Sequence, residues 1–292
     1  MTASSSDRAP RRIEGRKTMA EALRKATAAH KYDHGHALVL SGGMGRTGAA
    51  RLAARAALRV GAGLVTVLAP GAAMMECACH LTAIMLRRCD NADDLSEQLQ
   101  DMRLNALCLG PGLGVGGATP ELVVAALRAG RAAVLDADAL TSFAKAPETL
   151  FSALHGEVVL TPHDGEFVRL FPDLTVATGH DGSRVMAVRA AAARAGCVVL
   201  LKGARTLIAT PAGTVWENDA TGARATPWLA TAGSGDVLAG LITGLMARGL
   251  CAEDAAGSAA WLHVEAARSF GPGLIAEDLP ETLPRVFRSM GL

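Results

Sequence analysis

Short apolar runs recur along this 292-residue chain, and most end in a turn of glycine, proline or small polar residues that opens a helical stretch. The runs fall at 37–40, 64–68, 106–109, 132–135, 157–160 and 197–201. Unbroken apolar runs suit strands covered on both faces, and alternation with helices demands crossovers that leave the strands parallel. Helical patterns are read at 18–30, 49–60, 93–102, 120–129, 184–195, 234–248, 252–270 and 279–290. Pro280 fits a first turn, whereas Pro284 is expected to kink the last helix. Segments 206–208 and 214–216 flank Pro211-Ala212-Gly213 and read as a hairpin, which makes the far edge antiparallel. Half of the residues are hydrophobic but only 3% are aromatic, so alanine, glycine, leucine and valine must pack the interior. The expectation is one α/β domain over 30–292, with a mostly parallel central sheet and helices on both faces, after a flexible tail and lead-in over 1–29.

The net charge of +1 gives no basic footprint for nucleic acid. No apolar run of about 18 residues escapes a charge or glycine break, so no membrane span is expected. The basic start lacks an apolar core, so it does not read as a secretory signal. Six cysteines at irregular spacing make no disulfide framework. Cys77, Cys79 and His80 lack a second ligand pair, and no protein-held metal is expected there. Reduced thiols and a cytoplasmic location follow.

The chemistry-bearing residues cluster where strands end. In Gly233-Ser234-Gly235-Asp236, two glycines allow a sharp bend at a helix start, where free N–H groups and the helix dipole favour an anion. Asp236 in that first turn reads as a general base for phosphoryl chemistry, or as a cap. Gly43-Met44-Gly45-Arg46-Thr47-Gly48 matches a dinucleotide-binding pattern, but no acid ends the next strand and Glu76 comes too late to hold a ribose. Gly110-Pro111-Gly112-Leu113-Gly114 reads as a ligand loop or a tight turn. Asp136 and Asp138 suit a water-coordinated Mg²⁺, a substrate hydroxyl or a helix cap. His163 follows Thr161-Pro162 beyond a strand and can hydrogen-bond a substrate or carry a proton. Lys202 offers phosphates a point charge beside Gly203, yet no Walker A sequence exists.

Together with Gly48-Ala49-Ala50, Val60-Gly61-Ala62-Gly63, Leu160-Thr161-Pro162-His163 through Glu166, Leu201-Lys202-Gly203 and the run from Trp228 to Gly240, these motifs resemble the NAD(P)H-hydrate dehydratase family over about 30–290. The resemblance implies a ribokinase-like three-layer α/β/α sandwich. It also implies repair of the S-form of C6-hydrated NADH or NADPH, with ADP or ATP phosphorylating the ring hydroxyl before phosphate leaves. Mg²⁺ is the implied cofactor. Carried over, Ala49, Gly112, His163 and Asp236 meet the hydrate. Lys202, Gly203, Ala204, Arg205, Thr206 and Gly235 meet the adenine nucleotide, and Gly233, Ser234 and Gly235 form an anion hole. A homotetramer working with an NAD(P)H-hydrate epimerase on a separate polypeptide is implied as well. Thr47 stands where the family more often has proline, which is expected to loosen the first loop. Asp164 replaces a usual proline, and Ser234 a common threonine. The alternatives are a ribokinase-family kinase of small alcohols, such as a hydroxyethylthiazole kinase, or a nucleotide binder without turnover.

Overall fold

A computed structural model describes residues 9–14, 17–174 and 181–292. Residues 1–8 and 15–16 of the expected tail lie outside the described residues. In chain order the first half comprises β1 (Arg11–Arg12), α1 (Lys17–Leu23), β2 (His36–Leu40), α2 (Gly48–Arg59), β3 (Leu64–Ala69), α3 (Met74–His80), β4 (Met85–Arg88), α4 (Ala92–Gln98), β5 (Ala106–Leu109), α5 (Thr119–Arg128) and β6 (Ala132–Leu135). There follow α6 (Asp138–Thr141), α7 (Pro147–Phe151), β7 (Val158–Leu160), α8 (Asp164–Leu170), α9 (Asp181–Ala195), β8 (Val198–Leu201), β9 (Arg205–Ala209), β10 (Val215–Asp219), α10 (Ser234–Ala247), α11 (Ala252–Phe270) and α12 (Asp278–Ser289).

The ten strands among the described residues join one sheet, in the order β1-β10-β9-β8-β7-β6-β5-β2-β3-β4. Every pairing from β8 through to β4 is parallel, and β9 runs antiparallel to both β8 and β10, as the hairpin pattern predicts. The outer strands were not legible. β4 is half exposed and ends in Arg87-Arg88, and β1 is a pair of exposed arginines inside the expected tail, paired parallel with β10. Two helices differ from expectation: the lead-in helix stops at Leu23, and the helix expected to Met102 stops at Gln98. The last helix, α12, runs from Asp278 to Ser289 with Pro284 inside it, close to the expected bounds.

Side chains alternate across a strand, and here the alternation sorts by size. On one face Ala37, Val39, Ala106, Cys108, Val134 and Val159 meet α2, α10 and α11. On the other, Leu38, Leu40, Leu107, Leu109, Leu135 and Leu160 meet α5, α8 and α9. The small face lets helices come close. A Cβ on Gly240 would stand 2.1 Å from the Ala53 carbonyl oxygen, and one on Gly244 would stand 2.6 Å from that of Ala57. Helix α10 therefore lies backbone to backbone on α2, and this packing fixes where its N-terminus opens at the sheet's carboxyl edge. No helix among the described residues is long and apolar enough to cross a membrane.

Candidate functional site

The site is built on the first turn of α10. Gly233 has φ +84°, and a Cβ there would stand 2.6 Å from Leu52 Cδ1 and 2.9 Å from Ala276 Cβ. Both the left-handed backbone and the close walls require glycine. Ser234, Gly235 and Asp236 then supply the open end of the helix, where N–H groups lack intrahelical partners. Burial raises the Asp236 carboxyl to about 6, with the Asp136 carboxylate pushing the same way, Lys202 opposing and Asp138 adding a little. At neutral pH the group is mostly ionised yet more basic than an ordinary aspartate, which suits a general base.

Beside it lies a buried ion pair that the sequence reading did not assemble. Lys202 Nζ is 2.6 Å from Asp136 Oδ1 and 3.7 Å from Glu166 Oε2. Thr161 donates its hydroxyl to the same Asp136 oxygen at 2.9 Å. Burial disfavours the ammonium charge, but Asp136, Glu166 and Asp236 outweigh it and raise the Lys202 pKa, so the lysine stays cationic. Gly235 comes down on this pair: a Cβ there would lie 3.6 Å from Lys202 Nζ and 3.9 Å from Asp136 Oδ2. Ala137, at φ +46°, has the one positive φ on a non-glycine residue among the described residues. That turn sends Asp136 toward Lys202 and starts α6 at Asp138, whose Oδ2 accepts the Gly114 N–H at 2.8 Å. Asp138 thus ties the 110–114 loop to the sheet edge.

A cavity of about 710 Å³ opens from Ser234 and Gly235 toward β9, β10 and α11. Lys202, Gly203, Ala204 and Thr206 line it from the β8–β9 turn, and His163 stands at its rim. Arg205 faces elsewhere. Its guanidinium pairs with Glu217 at 3.0 Å and lines a neighbouring hollow of about 630 Å³, because successive strand side chains point to opposite faces. His163 is a helix cap: its Nδ1 accepts from the Gly165 and Glu166 N–H groups at 3.0 and 3.3 Å, and Glu166 accepts the His163 N–H at 2.9 Å. Its Nε2 lies 3.4 Å from Glu166 Oε1, so the half-exposed ring is held against that carboxylate.

Two further residues take roles that the sequence pattern does not show. His263 on α11 is buried under the turn, with Nε2 3.0 Å from the Ser234 carbonyl and 3.2 Å from its hydroxyl. Burial lowers its pKa to about 4, so it is neutral, and the carbonyl contact places the ring proton on Nε2. Glu76 is the second. Its carboxylate accepts the Gly45 N–H at 2.7 Å and the Thr47 hydroxyl at 2.5 Å. The expectation that Thr47 loosens the loop is therefore corrected, because Thr47 is buried and tied. The loop also meets its neighbour closely. A Cβ on Gly42 would stand 1.9 Å from the Gly112 carbonyl oxygen, and one on Gly112 would lie 3.4 Å from Ala49 Cβ. Ala49 and Gly112 come together on one side of the α10 turn, while Lys202, Gly203, Ala204 and Thr206 stand on the other.

This architecture is ribokinase-like: a ribokinase-like superfamily protein of Enterococcus faecalis superposes with a TM-score of 0.77 over 96% of both chains, at 21% identity. Within that class the chain belongs to the NAD(P)H-hydrate dehydratase family, whose sequence profile matches residues 37–285. The bifunctional NAD(P)H-hydrate repair enzyme of Moorella thermoacetica is 42% identical over 284 residues, covering 91% of this chain and 52% of its own. The chain thus spans about half the length of that relative. The ADP/ATP-dependent NAD(P)H-hydrate dehydratase of Bacillus subtilis, co-crystallised with ATP and Mg²⁺, superposes with a TM-score of 0.74 at 28% identity, over 94% of this chain and 96% of that one.

Proposed function

We propose that the chain dehydrates the S-form of NAD(P)H hydrate with an adenine nucleotide as phosphoryl donor, ADP giving AMP or ATP giving ADP. The observation that carries this reading is the placement of Asp236. It is a half-buried, basic carboxylate in the first turn of α10, between the 710 Å³ cavity and the joined loops around Ala49 and Gly112.

The nucleotide lies in the cavity, with its phosphates toward Gly233, Ser234 and Gly235 and the Lys202 ammonium. Asp236 takes the proton of the ring hydroxyl as its oxygen attacks phosphorus. The N–H groups of the turn hold charge on the transferred group, and His263 steadies that turn through Ser234. Phosphate is a far better leaving group than hydroxide, so the C6–O bond breaks with the ring nitrogen supplying electrons. Loss of the neighbouring ring proton then restores the dihydronicotinamide.

Among the described residues no three histidine, cysteine or acidic side chains form a metal cluster. The carboxylates present suit a Mg²⁺ that arrives on the phosphates: Asp136 Oδ1 is taken by Lys202 and Thr161, while Oδ2 faces Gly235. Asp136 would anchor such an ion through water, and the ion would neutralise phosphate charge. The reading extends to residues 30–292 acting as one domain, and to a homotetramer partnered by an epimerase acting on the R-form. Light scattering tests the assembly.

The deciding experiment mixes the protein with NADPH hydrate and Mg²⁺, adds ADP or ATP in parallel, and follows dihydronicotinamide absorbance. Recovery that requires nucleotide is the expected result. Nucleotide binding without recovery overturns the reading in favour of a small-alcohol kinase or a binder without turnover.

A further inference from the structure

A third hollow, of about 660 Å³, lies on the side of the α10 turn away from the nucleotide cavity. It runs along α2 from Gly48 to Arg59 and is closed by the connection through Leu81 and by Glu277 and Pro284. It begins beside the reaction centre. Leu52 forms part of its wall, and Leu52 Cδ1 lies 2.6 Å from the position a Gly233 Cβ would take, with Asp236 Oδ2 3.9 Å from the same point. Arg51, Arg55 and Arg59 recur every fourth residue, so one face of α2 carries all three into this hollow. Arg55 and Arg59 share Glu281 as partner. Arg51 differs. Its Nε is buried with no hydrogen-bond partner among the described residues, and its Nη2 lies 4.0 Å from the Cβ position of Gly48, at the start of α2. Glu76, the nearby acid, has its oxygens occupied by Gly45 and Thr47.

We propose that this hollow is the subsite for the phosphate-bearing remainder of the dinucleotide, with Arg51 as the residue that reads a phosphate. The inference rests on the function proposed above. A dinucleotide whose ring sits at Asp236 must send its diphosphate and adenosine away from the nucleotide already in the cavity, and the α2 hollow adjoins the ring position. A buried guanidinium edge without a partner is costly, and a phosphate oxygen satisfies it with a charge-assisted bond. Groups that do not react contribute binding energy without entering the chemical step, so Arg51 acts on KM.

The test compares wild type with Arg51→Gln in steady-state repair of NADH hydrate and NADPH hydrate, and in calorimetric binding of NADP⁺. The expected result is a KM for hydrate raised at least tenfold and NADP⁺ binding weakened to match, while the KM for ADP changes less than twofold. Loss with both hydrates assigns Arg51 to the diphosphate, and loss with NADPH hydrate alone assigns it to the 2′-phosphate; either supports the subsite. Unchanged hydrate KM and unchanged NADP⁺ affinity overturn it. If Arg51→Gln melts early, Arg51→Lys keeps the charge without the planar fork and is expected to fall between the two. Wild type that binds NADP⁺ through Arg51 but repairs no hydrate would sink the proposed function and leave the subsite standing.

Discussion

Glycines at the start of α10 and glycines in its body answer to different neighbours. Gly233 and Gly235 bend the backbone beside Asp236 and bring it onto Lys202 and Asp136, where a ligand has to fit. Gly240 and Gly244 exist because Ala53 and Ala57 of α2 leave no room for a Cβ. The first pair shapes a site that is electrostatically uneasy, with a carboxylate held in burial near two others. The second pair shapes a contact with nothing to do but pack. Stability and activity are therefore expected to separate along one helix.

Removing the base should show this most strongly. Asp236→Asn is expected to lower kcat by about 1,000-fold, within the range for a lost general base, while nucleotide still binds in calorimetry. Its melting temperature should equal or exceed that of wild type at pH 7. The sign follows from the raised pKa of about 6. The folded state holds the proton more tightly than the unfolded chain, so stability falls as pH rises from 3.8 to about 6, and at pH 7 the carboxylate carries the full cost, which the amide does not. A melting point several degrees below wild type would break the comparison.

Gly233→Ala comes next. It meets both the left-handed φ and two close walls, and kcat should fall about 10- to 100-fold if one oxyanion-type donor is displaced. Gly240→Ala is the mirror experiment: overpacking against the Ala53 carbonyl should cost about 2–3 kcal/mol and lower the melting temperature by roughly 5–8 °C. Its kcat per folded molecule should remain near wild type, and a large kcat loss would show that the helix body also sets the site.

The dependence on pH gives a milder effect. kcat/KM is expected to fall as pH drops through about 6, because protonated Asp236 cannot accept the hydroxyl proton. A profile flat from pH 5 to 8 would remove Asp236 from that role. Smallest is Glu76→Gln. A glutamine oxygen still accepts one of the two loop donors, and losing the other should raise the KM for hydrate about three- to fivefold, the effect of one hydrogen bond. The KM for nucleotide, on the far side of the turn, should stay fixed.

The sequence carried the inner strands plainly, because each is a buried apolar run with a breaker at its carboxyl end. It carried the glycine turns and Asp236 for the same reason: their chemistry is local. What it did not carry depends on folding. Lys202 and Asp136 are 66 residues apart, and Ser234 and His263 are 29. Glu76 falls too far along the chain to hold a ribose, and only the packed loop shows its actual partners. Arg205 follows the nucleotide-side residues along the chain, but strand alternation turns it to Glu217. The His163 ring is engaged at both nitrogens, by the helix it opens and by Glu166. The edge strands β1 and β4 lack the apolar run that marks the others, so neither stood out.

Those edge strands matter beyond the single molecule. Among the described residues the ten-stranded sheet has two open rims, and each is a template onto which a further strand could add. Here one rim ends in Arg11-Arg12 and the other in Arg87-Arg88, with the outermost arginines exposed. Arg12 pairs with Asp219 and Arg88 with Asp90, so each rim ends in a hydrated ion pair rather than an apolar strand. A strand adding there has to strip water from those charges, a colloidal safeguard written into two short, charged edges.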